Sequence, residues 1–211
     1  MTRVPEINDS DVLHLTKLIP GHSKPIYVDV NTIPEAKINS CIQAVNEHIL
    51  NNGGEIIYGW QLWKNQFYIE AEFHAIWKND LGKLIDISLK NLDTSNILFV
   101  PNYKHKYTGQ QINNIMLNIS NNKLVDDFIE LNKAIYRLKN KGDLKYFTGN
   151  LNDVLNEREI NDILKLEAVK NYIYSMFYFG GTINSNCYCS SGISYKDCHG
   201  KNFIHQIKQI R

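Results

Sequence analysis

The chain has 211 residues, 43% of them hydrophobic and 21% charged, enough for one substantial core with a small appendage. A formal net charge of +1 argues against a dedicated DNA-binding protein and against a polycationic membrane-surface protein. No stretch is apolar for long enough to span a bilayer, and the opening MTRVPEINDSDVL lacks the apolar run of a signal peptide, so a soluble, cytoplasmic protein is expected. In that compartment cysteines serve as metal ligands or nucleophiles more often than as disulfides.

The first element, DSDVLHLTKLI, has helical spacing after a capping Ser10 or Asp11, and KPIYVDV reads as a short strand. Thr32, Pro34 and Glu35 have the pattern of a helix start with a capping box, and the glycines of NNGG at 51–54 stop the helix that carries Cys41, Val45 and Ile49. An alternative start, with Asn39 as the cap, places Cys41 in the first turn. From 55 to 100 the texture becomes that of strands: EIIYGWQLW, QFYIEAEFHAIW, KLIDISL and ILFV, with a tight hairpin at KNDLGK that needs Gly82 in a left-handed conformation. Beyond about residue 110 the pattern returns to helix, through Leu124, Phe128, Leu131, Ile135 and Leu138, then Ile163, Leu166, Val169, Ile173 and Phe177.

Gly180 and Gly181 end the last helix and lead into CYCSSGISYKDCHG at 187–200. Cys187, Cys189, Cys198 and His199 supply three thiolates and an imidazole, the tetrahedral ligand set that a structural zinc ion prefers. All four positions are filled by protein, so this zinc has no open site for catalysis. Gly192 and Gly200 provide backbone freedom for wrapping the ligands around one ion. A segment this small builds no core of its own, and metal binding supplies much of its folding energy. The stretch resembles the SEC-C motif, the zinc-binding tail of the bacterial translocation motor SecA and of other bacterial proteins. Cys187, Cys189, Ser191, Gly192, Tyr195, Lys196, Cys198, His199 and Gly200 match its residue types. Tyr188 stands where the motif usually carries proline, and Ile193 and Ser194 where it is usually basic. The resemblance implies one Zn2+ and a docking element for a partner. Lys196, Lys201, Lys208 and Arg211 against Asp197 give the tail a net +3, suited to an acidic protein surface, the ribosome or a lipid head group, or to a merely solvated terminus.

Cys41 is the one thiol left over. In EAEFHAIW strand alternation puts Glu70, Glu72, His74 and Ile76 on one face, and Asp86 follows in KLIDIS. If the hairpin keeps even-numbered residues of both strands on one face, His74 and Asp86 are neighbours. A helical thiol, a strand imidazole and a carboxylate on the next strand supply nucleophile, base and orienting group. The order Cys41, His74, Asp86 resembles the papain-like and transglutaminase-like core. The block from GWQLW to DIS also looks like a region of uncharacterised bacterial proteins with SEC-C tails. The resemblance implies a cysteine hydrolase or transferase with Cys41, His74 and Asp86 as catalytic residues. The Gly-Asp-Cys helix start of many transglutaminase-like chains is replaced here by NSCIQA, leaving the Cys41 N–H with Asn39 or Gln43 as oxyanion donors. A buried, inert cysteine and a satisfied core histidine fit the same residues. Trp60, Trp63 and Trp77 fit sheet packing or a substrate groove.

The expected fold is α+β: an antiparallel sheet packed on the N-terminal Cys41 helix, a helical second half and a small C-terminal zinc knuckle. Residues 1–180 form the expected main domain, with a sheet-rich core at 26–100 and helices at 110–179, and 181–211 the zinc-binding segment. The expected function is thiol-dependent acyl transfer at an amide, isopeptide or thioester bond, with the zinc tail for docking. The alternative is a non-catalytic adaptor that recruits a protein or ribosomal partner.

Overall fold

In the computed structural model, which describes residues 1–104 and 107–208, the chain is α+β. His105, a histidine without a second ligand at metal spacing, and Arg211 of the basic tail lie outside the described residues. Two compact units are formed, one from residues 1–108 with 114–119, the other from 109–113 with 120–211.

The first unit opens with α1 (Ser10–Leu18), capped by Asp9, whose side chain accepts from Asp11 N. It continues with β1 (Ile26–Val30), α2 (Cys41–Asn52), β2 (Glu55–Lys64), β3 (Tyr68–Lys78), β4 (Leu84–Asp86), β5 (Asn96–Pro101) and β6 (Ile115–Asn118). The strands lie in the order β2-β5-β1-β4-β3-β6, and β2 also pairs with β3, so five strands close into a ring. The sheet is not wholly antiparallel. β1 and β4 run parallel, with Val30 opposite Asp86. The β6 strand falls where helix was expected; its four residues pair with the start of β3, from Tyr68↔Asn118 to Ala71↔Ile115, and are too few to register a period.

Alternation sorts the strand residues onto two faces. Val28, Ile57, Ile76, Ile97 and Phe99 form one buried cluster. Val45 of α2 packs with Ala75 and Ile87 in the other, together with Cys41, Ile49, Ile56, Tyr58 and Trp77. Thus α2 covers the second face. Gly59 lies opposite His74 in the β2–β3 ladder. A Cβ there would stand 2.4 Å from both Phe99 Cζ and the Val100 carbonyl oxygen, so only glycine lets β2 and β5 approach this closely.

In the second unit, α3 (Lys123–Lys139) and α4 (Glu157–Tyr178) pack through apolar faces that include Phe128 and Phe177, ring centroids 5.5 Å apart. Asn122 caps α3, and Asn156 with Glu159 forms a reciprocal capping box on α4. A short helix, α5 (Phe203–Lys208), follows the cysteine segment and meets α3, where Arg137 donates to the Ile207 carbonyl. Among the described residues no helix is long and apolar enough to cross a membrane.

Candidate active site and metal centre

The helix that carries Cys41 does not begin at Thr32. Thr32 donates its hydroxyl hydrogen to the Ser88 carbonyl at 3.2 Å, and residues 34–35 form a turn. Asn31 N and Ile33 N donate to the Asp86 and Ile87 carbonyls, which extends the β1–β4 pairing and ties the incoming chain to the end of β4. Asn39 then takes φ of 62°, a left-handed turn that asparagine tolerates, and Cys41 is the first residue of α2. Ser40 makes no side-chain cap and the first turn has no acidic residue. The helix start therefore leaves its first amide hydrogens and the positive end of its dipole without a side-chain cap beside Cys41.

The sulfur faces a gap in the sheet. On the edge of β3 away from β2, β6 covers residues 68–71 and β4 covers 77–78, leaving 72–76 without a strand partner among the described residues. The Ala75 N–H within that gap donates to Cys41, and the thiol also hydrogen-bonds with the His74 side chain. His74 is 5% exposed and Asp86 fully buried, and His74 Nε2 lies 3.1 Å from Asp86 Oδ2. With Nε2 on the carboxylate, Nδ1 is the ring atom left for the thiol. The structure thus brings Cys41, His74 and Asp86 together.

Burial pushes the Cys41 thiol up, but the His74 hydrogen bond and charge, the Ala75 N–H and the Lys90 charge outweigh it and leave the thiol below its ordinary value. Burial works against a charged His74 too, yet Asp86 and Cys41 raise its pKa to about 9. Burial alone would raise Asp86; His74 and Lys90 hold it well below the usual carboxylate range. The arrangement stabilises a thiolate and an imidazolium as a pair. Ser88 adds its N–H at 3.0 Å and its hydroxyl at 2.7 Å to Asp86 Oδ1.

Ser88, Lys90 and Gln61 escaped the sequence reading. Lys90, its side chain 9% exposed, contacts Asp86 Oδ2 at 2.5 Å, and it also donates to Gln61 Oε1 at 2.6 Å. Parity was the available signal, because 86, 88 and 90 continue one face beyond β4. Gln43, considered as an oxyanion donor, instead gives its amide hydrogen to Glu47 at 2.7 Å. Beside the thiol, Tyr58, Phe73 and Tyr107 form a half-buried aromatic group with centroids 5.3–5.9 Å apart. Trp60 packs edge-on against Phe73, while Trp63 donates to Glu72 and Trp77 to the Gly53 carbonyl. Glu70 accepts from Asn114 at 2.6 Å.

In the second unit the ligand atoms of Cys187, Cys189, Cys198 and His199 all lie within 4.8 Å of one another. Cys189 Sγ and Cys198 Sγ are 3.6 Å apart, and His199 Nδ1 is 3.2 Å from Cys187 Sγ and 3.4 Å from Cys198 Sγ. Bond lengths of about 2.3 Å to sulfur and 2.0 Å to nitrogen around a tetrahedral ion give edges of about 3.5–3.8 Å. The cluster is thus dimensioned to hold a metal ion. A narrow turn makes it: Cys187 N donates to the Ile193 carbonyl, and Gly192 takes φ of 75°. Gly200 serves by its size instead, since a Cβ there would lie 2.6 Å from the Tyr195 ring. Tyr195 is wholly buried and donates its hydroxyl hydrogen to Asp127 of α3 at 3.0 Å. Tyr188 stacks on Tyr172 of α4, 5.2 Å between centroids, and lies 4.8 Å from the His199 ring.

No family model, curated protein or solved structure matches the chain.

Proposed function

We propose that the chain is a cytoplasmic thiol-dependent acyl-transfer enzyme acting on an amide, isopeptide or thioester bond. The observation that carries this reading is the meeting of a helix-start thiol, a buried imidazole and a buried carboxylate at one gap in the sheet. The Cys41 thiolate attacks the carbonyl carbon and forms the carbon–sulfur bond, while the Cys41 N–H faces the developing oxyanion. The His74 imidazolium gives its Nδ1 proton to the departing amine or thiol as the original acyl bond breaks. Water or an acceptor amine then loses a proton to His74 as it attacks the thioester and releases Cys41. Asp86 holds the imidazole's aim and stabilises its charged form throughout.

Cys187, Cys189, Cys198 and His199 hold one structural zinc ion in this reading, and 181–211 serves as a SEC-C-like docking segment. A non-catalytic adaptor for a protein or ribosomal partner is the second reading. Large apolar side chains exposed in the second unit favour it, notably Phe179 at 83%, Tyr178 at 52% and Ile193 at 50%.

Mass-spectrometric mapping of the native, metal-loaded chain after brief iodoacetamide treatment at pH 6 tests the first reading. Cys41 is expected to react, and His74→Ala to slow it by an order of magnitude or more. Cysteine labelling that reaches position 41 only after denaturation overturns the enzyme reading and leaves the adaptor.

A further inference from the structure

We infer that Lys90 is a positioning residue that leaves Nε2 of neutral His74 to hold its proton toward Asp86 and limits the stability of the ring's charged form, a role that rests on the triad reading. The Lys90 ammonium has three hydrogens, and three oxygens stand around it: Asp86 Oδ2 at 2.5 Å, Gln61 Oε1 at 2.6 Å and Ser88 Oγ at 2.8 Å. These take all of its hydrogens. Its 3.1 Å approach to His74 Nε2 is then a contact between charge and ring rather than a hydrogen bond. Nε2 has an acceptor in Asp86 Oδ2 and gains none from a lysine that has no lone pair. The neutral ring therefore carries its hydrogen on Nε2, which leaves Nδ1 bare and able to take a proton on the thiol side.

The same ammonium opposes a second positive charge on the ring. Asp86 and Cys41 draw a proton onto His74, and the Lys90 ammonium, 3.1 Å from Nε2, opposes them as a like charge. An imidazolium balanced this way returns its proton to a leaving group more readily than one held by Asp86 alone. Other titratable groups nearby are Glu72, on the same face of β3 and bonded to Trp63, and Tyr58 of β2 with Tyr107, which lie against the thiol. None of them contacts Nε2 among the described residues.

NMR of the full, metal-loaded chain with isotope-labelled histidine reads both consequences. His74 is assigned by difference from His74→Gln, and the measurements use a Cys41→Ala background so that thiol chemistry has no part in them. Above its titration midpoint His74 is expected to show a protonated Nε2 and a bare Nδ1. Lys90→Met is expected to raise the midpoint by about one pH unit or more. A ring protonated on Nδ1, or a midpoint that stays or falls in Lys90→Met, overturns the inference. If Lys90→Met does not fold, the tautomer in the Lys90-bearing chain alone decides. Because Cys41 is absent, failure here leaves the acyl-transfer reading to its own labelling test.

Discussion

Replacing Asp86 with asparagine probes the buried polar cluster through stability rather than chemistry. The carboxylate is fully buried and takes hydrogens from His74 Nε2, Lys90 Nζ, Ser88 N and Ser88 Oγ at 3.1, 2.5, 3.0 and 2.7 Å. Asparagine keeps the shape and one oxygen but turns the other acceptor into a donor. Lys90 is then buried without a counter-charge, and breaking a buried pair in this way costs roughly 3–5 kcal/mol. With a urea dependence of about 2 kcal/mol per molar, the unfolding midpoint falls by about 2 M. All three tryptophans, Trp60, Trp63 and Trp77, lie in the first unit, so their fluorescence in a urea titration reports this unit alone. Asp86 has its folded pKa depressed, so its contribution is present above the unfolded value of about 3.9 and is lost as pH falls. The two proteins therefore converge in acid. Asp86→Asn combined with Lys90→Met removes both charges and should be more stable than Asp86→Asn alone. A single-variant loss below about 1 kcal/mol, or a double variant as unstable as the sum of the two singles, would refute the reasoning.

Two further predictions concern the second unit. Elemental analysis of the purified chain should find one zinc per chain, and Cys198→Ser should release most of it and lower the thermal midpoint read from the helices; zinc retained after loss of two of these cysteines would sink the ligand assignment. Burial raises Asp127 to about 6, so its charge costs stability as pH rises through the interval from its unfolded value to 6. Asp127→Asn keeps an acceptor for Tyr195 and should stabilise the unit by about 1 kcal/mol above pH 6, after discounting for partial exposure. The gain should vanish below pH 4, and circular dichroism melts across pH would expose a pH-independent effect as evidence against this account.

The metal cluster was legible because its ligands are local: the thirteen residues from Cys187 to His199 hold all four, and ligand spacing alone names the site. Legibility of the His74–Asp86 contact had another source. The hairpin at Gly82 keeps the sum of paired positions even, as Trp77↔Ile85 and Lys78↔Leu84 show, so residue parity carried across the turn. Long-range pairings left no such trace. Nothing in IYVDV marks it as the parallel neighbour of LID, and IMLN is too short for its period to be read. Thr32 misled for a physical reason: a hydroxyl that fits a helix cap fits any backbone carbonyl in reach equally well, and Ser88 offered one. Lys90 went unnoticed because a lone lysine after a strand reads as solvated until its three oxygens are seen together.

Ring closure sets an order of events for a growing chain. Among the described residues β1 pairs only with β4 and β5, so its residues wait more than fifty positions, until Ile85 and Asp86 have been made, for a first ladder to join, and longer still for the second at Asn96–Phe99. Such distant pairings are slow to form, because chain entropy is lost before the contacts repay it. The tether from Asn31 and Ile33 likewise waits for the Asp86 and Ile87 carbonyls, and it leads into the helix that holds Cys41 beside Ala75. Until then the cysteine is an ordinary, mostly protonated thiol on an incomplete helix. In the proposed enzyme, a nucleophile that gains its imidazole and its tether only once β3 and β4 have been made stays unreactive through the early part of synthesis.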